Sequence, residues 1–154
     1  EQYRSIMQTN LDSAFFLSQK CYPFLKNSRA EGGASIVNMG SVAGGIGIAM
    51  KSGVVYAMTK AAMNQMTMNM ACEWAPHNIR VNAISPWYIK TPLVESVLQN
   101  KQYLKEVLRV TPMARIGNVQ EVSAVCSFLM MDKASYVTGQ CIGVDGGFSR
   151  AAFF

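Results

Sequence analysis

The sequence predicts an α/β fold in which three parallel strands form a sheet flanked by helices. Short apolar runs typical of buried strands alternate along the chain with much longer stretches of helical spacing. Glycine or proline follows each strand-like run, which is where strands commonly end. Because long helices connect these runs, consecutive strands should lie parallel in right-handed βαβ units.

The first half of the chain is predicted to hold two long helices and one strand. Helical spacing over 1–26 indicates a helix whose inward stripe is Ile6, Asn10, Ala14, Leu17, Cys21 and Leu25. A loop over 27–33 leads to a strand over 35–39, and glycine-rich sequence over 40–53 predicts a second loop. A second helix is predicted over 54–74, with the stripe Ala62, Met66, Met70 and Trp74.

The second half continues the same alternation. A strand is predicted over 79–84 and ends at Pro86, and helices are predicted over 93–109 and 120–131. The last strand, over 140–144, is closed by an Asp-Gly-Gly turn. His77, the only histidine, is predicted to face solvent in the turn before the second strand, and no metal site is predicted.

Composition excludes several classes of protein. The chain has 154 residues, half of them apolar, and 14 basic against 9 acidic side chains give a net charge of +5. This suits one domain with a hydrophobic core and argues against a disordered chain. No apolar run approaches the roughly 20 residues of a membrane span. The basic residues are too scattered for a nucleic-acid interface.

The four cysteines indicate a cytoplasmic protein with free thiols. No two of them have the C-x-x-C spacing of a zinc or redox site, and no N-x-S/T acceptor for glycosylation occurs. We therefore expect all four to pack as small hydrophobic side chains, namely Cys21, Cys72, Cys126 and Cys141.

The clearest chemical signal is the pair Tyr56 and Lys60. Four residues form about one helical turn, so both side chains should lie on one face of the second helix. An ammonium close to a phenol stabilises the phenolate, and such a pair can exchange a proton with a substrate oxygen. The alternative is an exposed Tyr–Lys pair with no chemical role.

Two polar residues accompany this pair. Ser41 follows the first strand, at the edge of a parallel sheet where ligands bind, and its hydroxyl can donate to a carbonyl oxygen that gains negative charge. A turn-forming serine is the alternative. Asn10 falls on the apolar stripe of the first helix. It could hold a water in a proton relay to Lys60, or it could be a satisfied core amide.

Taken together, these motifs resemble the C-terminal part of a short-chain dehydrogenase/reductase, and within that family the plant tropinone reductase-like subgroup. The resemblance covers essentially the whole chain. The matching segments are SIVNMGSVAG (35–44), Y-x-x-x-KAAMNQ (56–65), EWA (73–75), NIRVNA (78–83), PW-x-x-x-TPL (86–93), SYVTGQ (135–140) and VDGG (144–147).

The resemblance implies a doubly wound Rossmann-type sheet and a set of roles. Tyr56 would be the general acid/base, Ser41 the donor that orients the carbonyl, and Lys60 the residue that binds the nicotinamide ribose. Asn10 would complete a catalytic tetrad. NADP would be the cofactor, with NAD not excluded, and hydride would pass between it and a small apolar ketone or the matching secondary alcohol. Cofactor contacts are expected from Tyr56, Lys60, Pro86, Ile89 and Thr91.

The same resemblance implies a substrate pocket and an oligomer. Pocket residues are expected in the segments that follow Ser41 and Pro86, namely Ile48, Trp87, Tyr88, Leu93, Val94, Val97 and Leu98. A homo-oligomer, dimer or tetramer, is expected to form through the helices over 1–26 and 54–74. No nucleic-acid or membrane partner is expected.

Residues 1–154 are expected to form a single partial domain that lacks the N-terminal dinucleotide-binding half, about the first 100 residues of the family's domain. That half would carry the glycine-rich pyrophosphate turn. An alternative hypothesis follows, in which the chain is a catalytically inactive remnant that binds intact relatives. The chain also differs from the family pattern in two smaller ways. It has Trp87 where many members have glycine, and its spacing between Ser41 and Tyr56 is slightly long.

Overall fold

One parallel sheet organises the molecule, which is a computed structural model described for residues 1–45 and 53–151. Its strands are β1 (Ala34–Met39), β2 (Ile79–Pro86) and β3 (Cys141–Val144), in the spatial order β1-β2-β3. Both strand pairs are parallel. The predicted α/β class with three parallel strands is therefore confirmed.

Helices cover both faces of this sheet. The α-helices of the described ranges are α1 (Gln2–Met7), α2 (Ser13–Lys26), α3 (Val54–Trp74), α4 (Pro92–Leu98), α5 (Lys101–Arg109) and α6 (Val119–Met130). On one face, side chains of α3 and α2 pack against β1 and β2. On the other face, α6 packs against the same two strands.

The central strand β2 joins the two halves of the core. Alternate residues of a strand point to opposite faces of the sheet. Ile79 and Val81 therefore pack with Met70 of α3, whereas Ile84 packs with Leu129 of α6. The three strand residues and Leu129 are almost fully buried. The sheet is thus fixed between two helical layers, and its carboxyl edge carries the loops that follow β1 and β2.

A buried arginine ties β2 to the end of α6. Arg80 is only 5% exposed. Its guanidinium donates to the carbonyl oxygens of Leu129 at 2.7 Å, Met131 at 3.2 Å and Gly32 at 3.3 Å. The last carbonyls of a helix have no partner within the helix, and a cation is favourable there. Arg80 therefore supplies the C-terminal cap of α6 from the neighbouring sheet.

The helix predicted over 1–26 is interrupted by a π-helical turn at Gln8–Asp12. A π-turn holds more residues than an α-turn, so the positions that follow it rotate around the axis. After this turn Ala14, Ser18, Cys21 and Leu25 follow ordinary α-helical spacing, so the buried position is Ser18, whereas Leu17 is 63% exposed. The prediction that Leu17 lies on the inward stripe is wrong.

The single helix predicted over 93–109 is two helices, α4 and α5. Asn100 separates them, because its side-chain oxygen accepts from the backbone N–H groups of Gln102 and Tyr103, both at 3.0 Å. An asparagine in extended conformation with these contacts is an N-cap. The helical periodicity continues across Asn100, but the backbone restarts there.

Two further packing predictions need correction. Of the stripe predicted on α3, Met70 is buried and Met66 and Trp74 are half-buried against the same core, but the most buried positions of the helix also include Thr59, Met63, Thr67 and Ala71. His77 is half-buried rather than solvent-facing, since its Nδ1 lies 2.9 Å from the hydroxyl of Tyr22. The turn that carries His77 folds back onto α2, which brings the two rings together.

Two further predictions concern the burial of the cysteines and the absence of a membrane-spanning helix. All four cysteines are free. Cys21 and Cys126 are half-buried as expected, but Cys72 and Cys141 are exposed, so the packing prediction is wrong for these two. Within the described ranges, no helix has the length and apolar character needed to cross a lipid bilayer.

Candidate active site

Tyr56 and Lys60 lie on the first turns of α3, beside the carboxyl end of β1. The ammonium nitrogen of Lys60 is 5.7 Å from the centre of the Tyr56 ring. It also donates to the carbonyl oxygen of Met39, the last residue of β1, at 2.8 Å. One hydrogen bond thus fixes the ammonium between the end of the strand and the phenol of the helix.

Ser41 begins the turn that follows β1. Its hydroxyl oxygen accepts from the N–H of Ala43 at 3.2 Å, so Ser41 is the N-cap of the 3-10 turn Val42–Gly44. This turn packs directly on α3. A Cβ on Gly44 would lie 2.4 Å from the carbonyl carbon of Lys60, so only glycine allows the contact. Ser41 is therefore attached to the same helix that carries Tyr56 and Lys60.

Asn10 lies in the π-helical turn of the first helix and faces α3. Its amide nitrogen donates to the hydroxyl oxygen of Thr59 at 3.3 Å, and that hydroxyl donates to the carbonyl oxygen of Tyr56 at 2.7 Å. Asn10 and Lys60 also line one cavity of about 580 Å³ beside β1. The amide is thus partly satisfied, and it opens onto the same space as the ammonium.

The electrostatics of this region centre on Lys60. Burial lowers the pKa of its ammonium below the ordinary value for lysine. A neutral carbonyl oxygen is its partner among the described residues, so the positive charge remains available to a ligand. Polar hydroxyls and a cation that face open space can bind the hydroxyls of a sugar, such as a ribose.

The segment after β2 brings three predicted cofactor residues to the same edge of the sheet. Pro86 ends β2 and pairs with Val144 of β3. Ile89 forms an isolated parallel bridge with Gly117. In such a bridge the hydrogen bonds come from the flanking residues, so the N–H and C=O of Ile89 itself point away from Gly117. Thr91 follows and is half-buried at the start of α4.

Trp87 and Tyr88 form an aromatic group at the end of β2. The Trp87 ring stacks on Phe148 with centroids 3.8 Å apart, and its indole N–H donates to the hydroxyl of Thr111 at 3.0 Å. The hydroxyls of Tyr88 and Tyr103 are hydrogen-bonded to each other. Burial, together with that hydrogen bond, raises the pKa of the Tyr88 phenol.

The structure does not bring every predicted pocket residue together. Trp87 and Tyr88 line a cavity of about 340 Å³ at the end of β3, whereas Lys60 lines the separate cavity beside β1. Val94 and Leu98 are half-buried on α4. Ile48 lies outside the described residues, and so do the side chains of Leu93 and Val97.

Sequence reasoning missed two residues that connect the site. Thr59 is fully buried and links Asn10 to the backbone of Tyr56. Asn64 donates to the carbonyl oxygen of Gly44 at 3.1 Å and so holds the turn that carries Ser41. Neither is singled out by the sequence, because α3 carries other polar residues as well, among them Gln65, Asn69 and Glu73.

A comparison with protein families agrees with this fold. Residues 1–149 match the family model described as enoyl-(acyl carrier protein) reductase. The chain belongs to the short-chain dehydrogenase/reductase family of oxidoreductases.

The similar curated proteins narrow this class to a subgroup. The chain is 50% identical over 153 residues to one tropinone reductase homologue of Arabidopsis thaliana, covering 99% of this chain and 56% of that protein. It is 52% identical to another, covering 54% of that protein. The chain is therefore tropinone reductase-like in sequence, and it spans about half the length of the curated relatives it matches.

Solved structures share the fold. A gluconate 5-dehydrogenase from Burkholderia cenocepacia, in complex with NADP and tartrate, superposes with a TM-score of 0.90 at 28% identity, covering 98% of this chain and 57% of that one. A 3-oxoacyl-[acyl-carrier protein] reductase from Brucella melitensis superposes with a TM-score of 0.88 at 35% identity, covering 97% and 54%. These neighbours place the parallel strands and helices within a Rossmann-type fold.

Proposed function

We propose that the protein is an NADP-dependent oxidoreductase that interconverts a small apolar ketone and its secondary alcohol. Tyr56 exchanges the proton with the substrate oxygen, and Ser41 donates a hydrogen bond to that oxygen. Lys60 binds the cofactor ribose and stabilises negative charge on the phenol. Asn10 completes the set from the opposite helix.

One observation carries this proposal: Ser41, Tyr56 and Lys60 are held on a single structural unit. The turn after Ser41 packs on the backbone of Lys60, and the Lys60 ammonium bonds to the end of β1. A hydroxyl donor, a phenol and an ammonium at one edge of a parallel sheet suit a carbonyl that gains a hydride and a proton. An exposed Tyr–Lys pair with no role would not need these constraints.

The cofactor assignment is supported by residues and by neighbours. Lys60 and Tyr56 would face the ribose, and the free backbone groups of Ile89, with Thr91, would hold the carboxamide. Two of the similar solved structures, a gluconate 5-dehydrogenase and a 2-deoxy-D-gluconate 3-dehydrogenase, contain NADP. When bound, the nicotinamide supplies or accepts the hydride, and the residues of this chain orient and polarise the substrate.

The proton chemistry falls to residues of this chain. When a ketone is reduced, its oxygen gains a proton from the Tyr56 hydroxyl while Ser41 holds the same oxygen. Lys60 keeps a positive charge near the phenol throughout, which favours the deprotonated product of that step. In the direction of alcohol oxidation the proton returns to Tyr56.

We also propose that the protein is a homo-oligomer that associates through the first helix and α3. A groove of about 720 Å³ between these helices is lined by apolar side chains, among them Leu11, Phe16, Met66 and Trp74. Phe16 is exposed. Exposed apolar surface of this kind is typical of contacts between subunits. Phe16→Glu should therefore lower the molar mass measured by light scattering, whereas Lys105→Glu, at an exposed position of α5, should not.

The enzymatic proposal is tested with purified protein and nicotinamide cofactors. Titration with NADPH and with NADH, followed by fluorescence, measures which of them binds. Oxidation of the bound nucleotide is then followed at saturation with a series of small ketones. Tyr56→Phe should lower turnover by about 10²- to 10⁴-fold, the usual contribution of a general acid, and weaken nucleotide binding by a much smaller factor, because Lys60 would still face the ribose.

The matched control is Tyr136→Phe, because Tyr136 is fully exposed and distant in sequence from the site. It should retain the activity of the unchanged protein. Equal turnover by Tyr56→Phe and the unchanged protein would contradict the role of Tyr56. Failure of the folded protein to bind either nucleotide would contradict the cofactor assignment.

A further inference from the structure

Two fully buried threonines on α3 each join the helix to another part of the chain through an asparagine. Thr59 accepts from the amide nitrogen of Asn10 at 3.3 Å, and Thr67 accepts from that of Asn38 at 2.9 Å. The first link reaches the π-helical turn of the first helix, and the second reaches β1. Only the first link ends at a residue of the proposed catalytic set, so the second serves as its structural counterpart.

The Thr59 hydroxyl can bond to Asn10 in only one way. It lies 2.7 Å from the backbone carbonyl oxygen of Tyr56, about one turn earlier in α3. A carbonyl oxygen only accepts hydrogen bonds, so the single proton of the hydroxyl is directed at Tyr56. The hydroxyl oxygen can then offer only its lone pairs to Asn10. An N–H donor can approach these lone pairs, whereas the oxygen of an amide would be repelled by them.

This arrangement determines which end of the Asn10 amide is held by α3. The nitrogen is directed at Thr59, so the oxygen is directed elsewhere, and it makes no hydrogen bond to another residue of the described ranges. Asn10 is half-buried and lines the cavity of about 580 Å³ that Lys60 also lines. The oxygen is therefore the hydrogen-bond acceptor that Asn10 offers to a ligand in this cavity.

We propose that Thr59 is a positioning residue, which holds the Asn10 amide so that its oxygen is available in the cavity lined by Lys60. An acceptor oxygen is favourable near a positive charge, whereas the N–H donors of a reversed amide would be repelled by it. With Lys60 as donor and Asn10 as acceptor, the cavity suits a hydroxyl group, which accepts one hydrogen bond and donates another. The orientation of the amide follows from its contacts, and its effect on turnover rests on the proposed function.

Thr59→Val tests this role, because valine has nearly the same shape as threonine but neither donates nor accepts a hydrogen bond. Without the hydroxyl the Asn10 amide loses its anchor, so kcat should fall about 3- to 10-fold, the equivalent of one neutral hydrogen bond. Thr59→Ser retains the hydroxyl and should restore most of the lost turnover. A Thr59→Val protein with the kcat of the unchanged protein would overturn the proposal.

The matched control is Thr67→Val. Thr67 is as buried as Thr59 and has the same kinds of contact, since it donates to the carbonyl oxygen of Met63 at 2.8 Å and accepts from Asn38. Both valine variants should therefore unfold at lower urea concentration than the unchanged protein. Thr67→Val should nevertheless keep the kcat of the unchanged protein under conditions in which it is folded. Equal losses of kcat in the two variants would show a general effect on α3 and would overturn the positioning role.

A double-variant cycle shows whether Thr59 acts through Asn10. If it does, Thr59→Val should lower kcat no further in a protein that already carries Asn10→Ala. The same four proteins are compared by urea unfolding. Each single variant loses the shared hydrogen bond, so the double variant should raise the unfolding equilibrium constant about two- to fivefold less than the product of the single effects. Independent effects on kcat or on unfolding would overturn the proposal.

The unfolding cycle distinguishes failure of this proposal from failure of the proposed function. If the unchanged protein turned over none of the ketones, the proposed function would be contradicted, whereas coupling of Asn10 to Thr59 in unfolding would still support the orientation of the amide. Turnover by the unchanged protein together with uncoupled variants would overturn the role of Thr59 and leave the proposed function in place.

Discussion

Replacement of Arg80 by methionine should be among the most destabilising single changes in this protein. The methionine side chain fills much of the same volume but donates no hydrogen bonds. The three nearest carbonyl oxygens, those of Gly32, Leu129 and Met131, would lose a charged donor, and so would the more distant carbonyl oxygen of Val137. Since Arg80 is 5% exposed, water reaches these carbonyls poorly after the substitution.

The magnitude follows from the three contacts. A hydrogen bond to a charged group contributes about 1.5–3 kcal/mol of net stability. Two of the three distances are 3.2 Å or longer, so we take the lower value for each and expect a loss of about 4.5 kcal/mol. Arg80→Lys keeps the charge but has no planar fork to reach separate carbonyls, so we expect about half of that loss.

Urea unfolding, followed by circular dichroism, measures these differences. Arg109→Met is the matched control, because the Arg109 side chain is 63% exposed and its one ion pair is with Glu106. An exposed pair of this kind is worth under about 1 kcal/mol. If Arg80→Met were no more destabilising than Arg109→Met, the assignment of Arg80 as the cap of α6 would be refuted.

Three further outcomes are expected. The hydrogen-bonded ion pair with Arg115 lowers the pKa of Glu121 to about 2. The stabilising effect of this pair is therefore complete above the ordinary pKa of glutamate and is lost as the pH falls toward 2. Glu121→Gln should remove this part of the pH dependence of the unfolding free energy. Asn100→Ala should cost about 1 kcal/mol through loss of the N-cap of α5, measured by urea unfolding, whereas Asn100→Asp should not. Thr111→Val should cost about 1 kcal/mol because it removes the hydrogen-bond acceptor of the half-buried Trp87 indole N–H, and Thr111→Ser should restore most of that loss.

Much of the fold could be predicted because its signals are local. The bounds of α3, predicted over 54–74, agree with the structure, since a long helical pattern ends there at a proline-containing turn. Strands β1 and β2 were predicted within one or two residues. Their parallel pairing follows from the helix that connects them, through the handedness of βαβ units.

The errors arose where one residue changes the backbone without changing the apolar pattern. The periodicity of 93–109 continues through Asn100, whose side chain nevertheless starts a new helix. In the first helix, either Leu17 or Ser18 fits helical spacing between Ala14 and Cys21, and the apolar pattern favours Leu17 although Ser18 is the buried residue. Neither event has a signature in hydrophobic spacing, which is why the sequence alone did not reveal them.

The residue types of the candidate site could be predicted from the sequence, but the contacts that hold these residues together could not. Tyr56, Lys60 and Ser41 were identifiable from spacing and from the family pattern. The contact of Gly44 with the backbone of Lys60, and the link of Asn10 to Thr59, depend on how elements far apart in sequence pack together. The roles proposed for these residues remain predictions until turnover is measured.

The anchoring of Gly44 on α3 has a consequence for how this scaffold can change. Gly44 packs against the backbone of α3, and Gly53 is the N-cap of the same helix. Both positions are therefore held by α3, whatever number of residues lies between them. Adding residues between positions 45 and 53 should cost little free energy, since the entropy of closing a connection grows slowly with its length. Variants that differ in length only between these positions should therefore keep Ser41 and Tyr56 in the same relative positions.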